Sequence, residues 1–295
     1  MNIGTFNKII VSPLTWVGSK SKTSQSIIAT IPNSITNYHQ PFLGSAAVLF
    51  HVLREQFRGN LQIKNDIYVS DFNEDLINFF KTIQLTPAKF YSTFVKNFAL
   101  PYNSLKNDVD KSNFFYLVIS DFNSNLGSPG VTQSARFLFL NKACYGGLFR
   151  TNSAGRFNVP FGHRKNLKFL AELSLLNISE LIRKVHFSHK IFNPQMINYE
   201  EGDFFYFDPS YVKMTETSFV NYLPGGFSDT GFFELLDFCK KVDDCGCFFT
   251  LSNSTNPKVI NFAKNYKILQ YSTNSLKGYT MNQLLITNSH NPLNW

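Results

Sequence analysis

Residues 203–212, DFFYFDPSYV, set four aromatic side chains in a row and then stop at Asp208 and Pro209. A run that is apolar at every position, rather than at every second one, fits a strand buried on both faces. Such strands belong to parallel sheets with helices on either side, so the run points to the α/β class. The rest of the chain agrees. A helix is expected from Thr23 to Ile31, and YHQPFLGSAAVLFHVLREQF and IYVSDFNEDLINFFKTI each read as strand, turn and helix. In the second of these, Leu76, Ile77, Phe79, Phe80 and Ile83 recur at helical spacing. After DFFYF come a polar loop from 212 to 229, a helix (GFFELLDFCKKV), a strand (CFFTLSN) and a helix near 257–265. Two final strands, KILQYST and QLLIT, can pair antiparallel.

Between these halves the pattern changes. SNFFYLVISDFN and QSARFLFLNKA are helix-like, and Gly, Asn and Pro clusters such as NSNLGSPG and NSAGRFNVPFGHRKN lie between and after them. Residues 85–197 therefore read as an inserted, mainly helical module in a sheet built from 1–84 and 198–295, and a chain of 295 residues is long enough for both. A net charge of +8 favours an anionic partner such as nucleic acid, or else serves solubility. Cys144, Cys239, Cys245 and Cys247 lack metal-site spacing, and the last two are expected in CGCFFTLSN, a buried strand, as inert thiols. No apolar run approaches the roughly 18 residues that span a bilayer, and the first residues carry no long apolar segment. A soluble, cytoplasmic protein is expected.

Open α/β sheets bind ligands beyond the carboxyl ends of their strands, and three such ends carry suitable residues. In PFLGSA, Gly44 lets the backbone approach a ligand, or supplies the positive φ of a tight turn. In YVSDFN, Asp71 can accept from both hydroxyls of a ribose, or cap the next helix. Burying Asp208 is costly unless hydrogen-bond donors meet it. A ligand amino group would serve, with Tyr211 offering a ring for stacking, although an Asp-Pro turn is the plainer explanation.

With these segments in this order, the chain resembles the Dam-like (alpha-group) DNA adenine-N6 methyltransferases. The likeness runs through PLTWVGSK, PFLGSA, SDFNEDLI, YGGLFRTNSAGRFNVPFG, GDFFYFDPSY, GGFS and TLSNS. It implies a Rossmann-like methyltransferase sheet, S-adenosyl-L-methionine as cofactor, and double-stranded DNA bound against a target-recognition insertion. Position by position, it implies a cofactor site at Trp16, Gly18, Lys20, Phe42, Gly44, Asp71 and Asp208. The catalytic motif falls on Asp208, Pro209 and Tyr211, and DNA contacts fall on Tyr145, Leu148, Arg150 and Pro160. Lys142, Arg156, His163, Arg164, Lys165 and Lys168 add a basic bias suited to phosphates. Adenine N6 is out of reach inside a duplex, so base flipping is implied as well. No metal is called for. The likeness also implies a bacterial, phage or viral source and leaves room for a partner subunit or a cognate restriction nuclease.

The chain departs from the family pattern mainly around the cofactor. Thr15 stands for a usual Lys, Ser19 and Ala46 for Gly, Gln40 for an acidic residue, Ser210 for the second proline and Gln283 for Glu; in the target loop Gly146 replaces a frequent Asn. A methyl group at position 46 is harmless if φ is negative and costly if the loop is left-handed. The alternative to an active enzyme is a catalytically degenerate subunit that binds DNA or a partner protein.

Overall fold

The computed structural model describes residues 11–209, 229–255, 257–274 and 280–289. Its strands, in chain order, are β1 (Ser34–Ile35), β2 (Tyr38–Gln40), β3 (Gln62–Ile63), β4 (Ile67–Asp71), β5 (Val185–His189), β6 (Phe204–Phe207), β7 (Phe248–Ser254), β8 (Lys267–Asn274) and β9 (Thr280–Thr287). Short strands β1 and β3 pair with each other. The other seven form one sheet in the order β5-β4-β2-β6-β7-β9-β8. Strands β5 to β7 in that order are parallel, and β9 enters antiparallel between β7 and β8. The expected C-terminal antiparallel pairing is therefore present.

Helices α1 (Ser24–Ile28), α2 (Ala47–Phe57) and α3 (Glu74–Leu85) come from the first stretch. Helix α3 starts where Asn73 accepts the Leu76 N–H at 3.0 Å, with Glu74 and Asp75 in the first turn beside the positive end of the dipole. The middle stretch supplies α4 (Pro87–Phe94), a π-helical turn (Val95–Ala99), α5 (Leu100–Ser104), α6 (Asp108–Ser124), α7 (Val131–Ala143) and α8 (Glu172–Leu181). Then come α9 (Asp229–Asp244) and α10 (Pro257–Ala263).

Strand β6 shows why the aromatic run needs both faces covered. Phe204 and Tyr206 join a core shared with α2, α3, α4 and α7, while Phe205 and Phe207 join a second core with Phe232, Phe238 and Phe249. The first core holds Phe79 and Phe80 of α3 together with Phe90, Phe94, Phe137 and Phe139 of the middle stretch. The middle helices thus pack into the same core as the N-terminal ones. The sheet also resumes earlier than the pattern suggested: β5 lies within 85–197 and pairs with β4 from Val185 to His189. Cys245 is a second correction, since it is exposed in the turn before β7 while Cys247 is buried.

The order in which strands are laid across the sheet reverses at β2. From there β4 and β5 extend one way and β6 and β7 the other, so the carboxyl ends of β4, β2 and β6 meet at the switch point where such sheets bind ligands.

Candidate active site

Asp208 follows the last residue of β6, and its carboxylate meets a cation. Lys20 Nζ donates to Oδ1 at 2.7 Å and to Oδ2 at 2.8 Å, and also to the Gly18 carbonyl at 3.2 Å. Lys20 is buried, whereas the Asp208 side chain keeps 18 % of its surface open. Its oxygens are thus oriented by a side chain, and the side chain as a whole is not fully enclosed. Burial pushes the Asp208 carboxyl pKa up, and the adjacent Lys20 charge opposes that rise.

Asp71 ends β4 one strand beyond β2. Its Oδ2 accepts the Gly44 N–H at 2.9 Å and its Oδ1 the Asn73 N–H at 3.0 Å. Helix α3 is therefore capped by Asn73, and Asp71 instead ties the Gly44 loop to the end of its strand. Burial raises this carboxyl pKa too, against the Gly44, Asn73 and Phe72 backbone donors and the nearby His189.

The loop between them is set by unusual backbone angles. Gly44 has φ +51° and Ala46 φ +60°, so Ala46 holds the left-handed conformation in which its methyl is costly. A side chain at Gly44 would meet the Trp16 ring at 3.6 Å. Gln40 is buried beneath this loop: its Nε2 donates to the Phe42 and Leu43 carbonyls at 3.4 and 3.3 Å, and its Oε1 accepts from Tyr38 Oη at 3.0 Å. Ser19 Oγ and Ser45 Oγ are 3.0 Å apart. Phe42 packs against Phe192, and Gly18 takes φ +74°.

A second cluster forms on a ribbon in the middle stretch. Cys144 bridges Phe161 and Thr151 bridges Phe157, which brings Tyr145, Leu148, Arg150 and Pro160 onto one ribbon; the Tyr145 N–H donates to the Pro160 carbonyl at 2.9 Å. Tyr145, Arg150 and Pro160 are exposed and Leu148 is half-buried. Arg150 is held in place by Asn158, through Nε to Oδ1 at 2.9 Å and NH2 to the carbonyl at 3.2 Å. Arg156, His163, Arg164, Lys165 and Lys168 are also exposed, while Lys142 is half-buried. Trp16 stacks on Phe149 of this ribbon at 5.6 Å and 12°. Tyr211, Ser210 and the GGFS segment lie outside the described residues.

Residue patterns did not foretell the pairing of Lys20 with Asp208 or the role of Asn141, whose amide holds Thr15 from 126 positions away. A polar residue inside the apolar helix FLFLN was the one local signal.

A mostly parallel sheet whose switch point carries carboxylates on adjoining strands and a close-approach glycine loop defines a Rossmann-like methyltransferase. Residues 16–275 match the D12 class of N6 adenine-specific DNA methyltransferases, and the chain belongs to this family. It is 34 % identical over 262 residues to the type II methyltransferase M.MjaIII of Methanocaldococcus jannaschii, covering 86 % of this chain and 87 % of that one. It is 28 % identical over 302 residues to the type II methyltransferase M1.LlaDCHI of Lactococcus lactis subsp. cremoris, covering 99 % and 100 %. The DNA adenine methylase of Serratia marcescens shares 30 % identity over 217 residues, or 73 % and 72 % of the two chains. The reaction is site-specific methylation of adenine in DNA, with S-adenosylmethionine as methyl donor. Among the described residues no helix is long and apolar enough to cross a membrane.

Proposed function

We propose that Asp208 and the Pro209 carbonyl accept the two N–H groups of adenine N6 after the base has left the duplex. The observation that carries this reading is the Asp208 carboxylate at the switch point, fixed by Lys20 on both oxygens with the side chain still 18 % exposed. The adenine amine is a weak nucleophile because its lone pair is delocalised into the ring. Two acceptors on its hydrogens localise that pair at nitrogen, and their fixed geometry costs no reorganisation during reaction. Lys20 acts through Asp208: its charge keeps the buried carboxyl ionised, and its two bonds set the direction of the free lone pairs. In this reading Tyr211 supplies a ring against the extruded base.

The cofactor supplies an electrophilic methyl group on a sulfonium centre. Residues at the switch point suit such a group: a loop at positive φ whose Gly44 lies against the Trp16 ring, and the carboxylates of Asp208 and Asp71, which could meet a cation and a diol. Trp16, Gly18, Phe42, Gly44 and Asp71 would hold it. Asp71 already accepts from backbone donors, so ribose hydroxyls would meet only the acceptor capacity that remains. Residues 85–184, with β5 assigned to the sheet, are proposed as the target-recognition module. Tyr145, Leu148, Arg150 and Pro160 face the DNA from its ribbon, and the neighbouring basic residues meet phosphates. Such a substrate puts the protein in the compartment that holds DNA, and a cognate restriction nuclease would read the same sites.

Methyl transfer to mixed-sequence duplex DNA, with the modified adenines mapped, tests the reading against Asp208→Ala. The variant is expected to keep DNA binding and lose transfer by at least about 10²-fold, the usual cost of removing one preorganised group. Full activity would show that the acceptor is elsewhere.

A further inference from the structure

Three helix-borne asparagines each grip both backbone groups of one distant residue. Asn103 of α5 holds Leu167 through the N–H at 2.8 Å and the carbonyl at 3.3 Å, and Asn123 of α6 holds Phe157 at 2.8 and 3.0 Å. Both stay within the middle stretch. Asn141 of α7 reaches outside it: its Oδ1 accepts the Thr15 N–H at 3.0 Å, and its Nδ2 donates to the Thr15 carbonyl at 2.6 Å. The same Nδ2 donates to the Gly147 carbonyl at 3.3 Å, and Asn141 is 2 % exposed. One buried amide therefore joins α7, the target ribbon and the segment that leads to Trp16 and Lys20.

Gly147 closes the junction from the ribbon side. It has φ +66°, and a Cβ built there would lie 2.6 Å from both Cβ and Cγ2 of Thr15. Immediately after Thr15, Trp16 stacks on Phe149 and lies over Gly44. Four residues further on, Lys20 holds Asp208. Ribbon, glycine loop and catalytic carboxylate are thus in contact through residues 15–20.

Resting on the functional reading above, we propose that Asn141 is a positioning residue that couples DNA binding on the ribbon to cofactor binding at the switch point. DNA that restrains Tyr145 to Arg150 also restrains Gly147, and through the Asn141 amide it restrains Thr15 and the Trp16 and Lys20 side chains that follow. Conformational freedom already given up to one ligand need not be given up again when the second binds, and linkage makes the effect mutual and equal in both directions.

Calorimetry with the unreactive product S-adenosylhomocysteine tests this, measured alone and with a short duplex carrying the adenine mapped by methylation. In the wild type, DNA is expected to tighten product binding by a factor in the usual range of about 5–150. In Asn141→Ala that factor falls to within about twofold of unity, while each ligand alone binds within about threefold of wild type. Asn123→Ala, which removes a comparable clasp inside the ribbon stretch, keeps the wild-type factor. If Asn141→Ala fails to fold, Gly147→Ala probes the same junction from the other side and is expected to lose the factor too.

A wild type without coupling overturns the proposal. So does a folded Asn141→Ala or Gly147→Ala that retains the coupling, or one that loses both separate affinities together. If the wild type methylates adenine and coupling is unaffected by either substitution, only this inference fails; if it methylates no adenine, the functional reading fails first.

Discussion

Removing the Lys20 ammonium should move the acid limb of methyl transfer toward alkaline pH. Ionised Asp208 is the stronger acceptor for the amine N–H groups, so transfer declines as pH falls through its folded pKa. Burial raises that pKa and Lys20 lowers it. Lys20→Met leaves burial unopposed. Two contacts at 2.7 and 2.8 Å place the ammonium directly on the carboxylate, so its loss should move the acid limb clearly toward alkaline pH. On the alkaline plateau the variant should recover much of its rate, because the carboxylate is then charged again. Stability moves in a related way. Breaking a buried ion pair on one side costs about 3–5 kcal/mol if the remaining charge persists, and Asp208 in the variant avoids part of this by holding a proton. A folded-state pKa that is raised contributes stability at low pH that is lost as pH rises, so the variant's melting midpoint should fall more steeply with pH than the wild type's. Single-turnover transfer of a labelled methyl group across the pH range, beside thermal melts, measures both. An acid limb that stays in place while the plateau rate collapses would refute the electrostatic role given to Lys20.

Asp75, in the first turn of α3, has a carboxyl pKa pushed up to about 6, chiefly by burial. Its raised folded pKa means that wild-type stability falls as pH rises through the window from the unfolded value to about 6. Asp75→Asn should remove that decline and gain about 2 kcal/mol above the window, after allowing for the lost helix-dipole attraction; equal melting midpoints at neutral pH would disprove it. Ala46→Gly relieves left-handed strain of about 1–2 kcal/mol and loses a buried methyl worth roughly 0.8 together with chain entropy of about 0.5–1. Its midpoint should be nearly unchanged, unlike an ordinary buried Ala→Gly change, and a loss above about 2 kcal/mol would contradict the positive φ. Arg150→Ala should relax sequence choice at one base position by about 1–3 kcal/mol, with Arg150→Lys failing to restore it; unaltered contexts around the mapped adenines would remove Arg150 from base readout.

The parts of the fold legible in the sequence were those in which burial repeats along the chain. DFFYF forms β6, and the α3 period places Phe79 and Phe80 in the core because both faces of one element satisfy a local pattern. Strand β5 escaped notice. VHFSH alternates apolar and polar residues over a few positions, its outer residues His186 and His189 are exposed, and it sits among loop residues on the sheet edge. The three strand ends of the site were legible as carboxylates and a glycine, but their partners were not. Lys20 is 188 positions from Asp208, and Gly44 is 27 from Asp71. Spacing along the chain carries no record of such contacts. Asp71 showed the limit most clearly, since both readings of its role left out the Gly44 N–H that occupies it.

The departures from the family pattern argue for adaptation rather than decay. A pocket losing its function accumulates polar groups without partners, yet each described departure in the N-terminal part of this pocket is bonded or held. Ser19 meets Ser45. Gln40 uses its amide nitrogen and oxygen in three hydrogen bonds, two of them to carbonyls that a carboxylate could not satisfy. Thr15 is clasped on both backbone groups by Asn141. Ala46 carries the heaviest burden, because its left-handed angle persists without the glycine that would make it easy. A strained residue keeps such a conformation only when its surroundings over-determine it. Here they do: the Ala46 N–H donates to Leu43, its carbonyl accepts from Phe50 at the start of α2, and Asp71 holds Gly44 two residues earlier. The loop has kept its shape at the expense of its easiest residue, which is the outcome expected when the shape itself, presented to a ligand at the switch point, is what the chain requires.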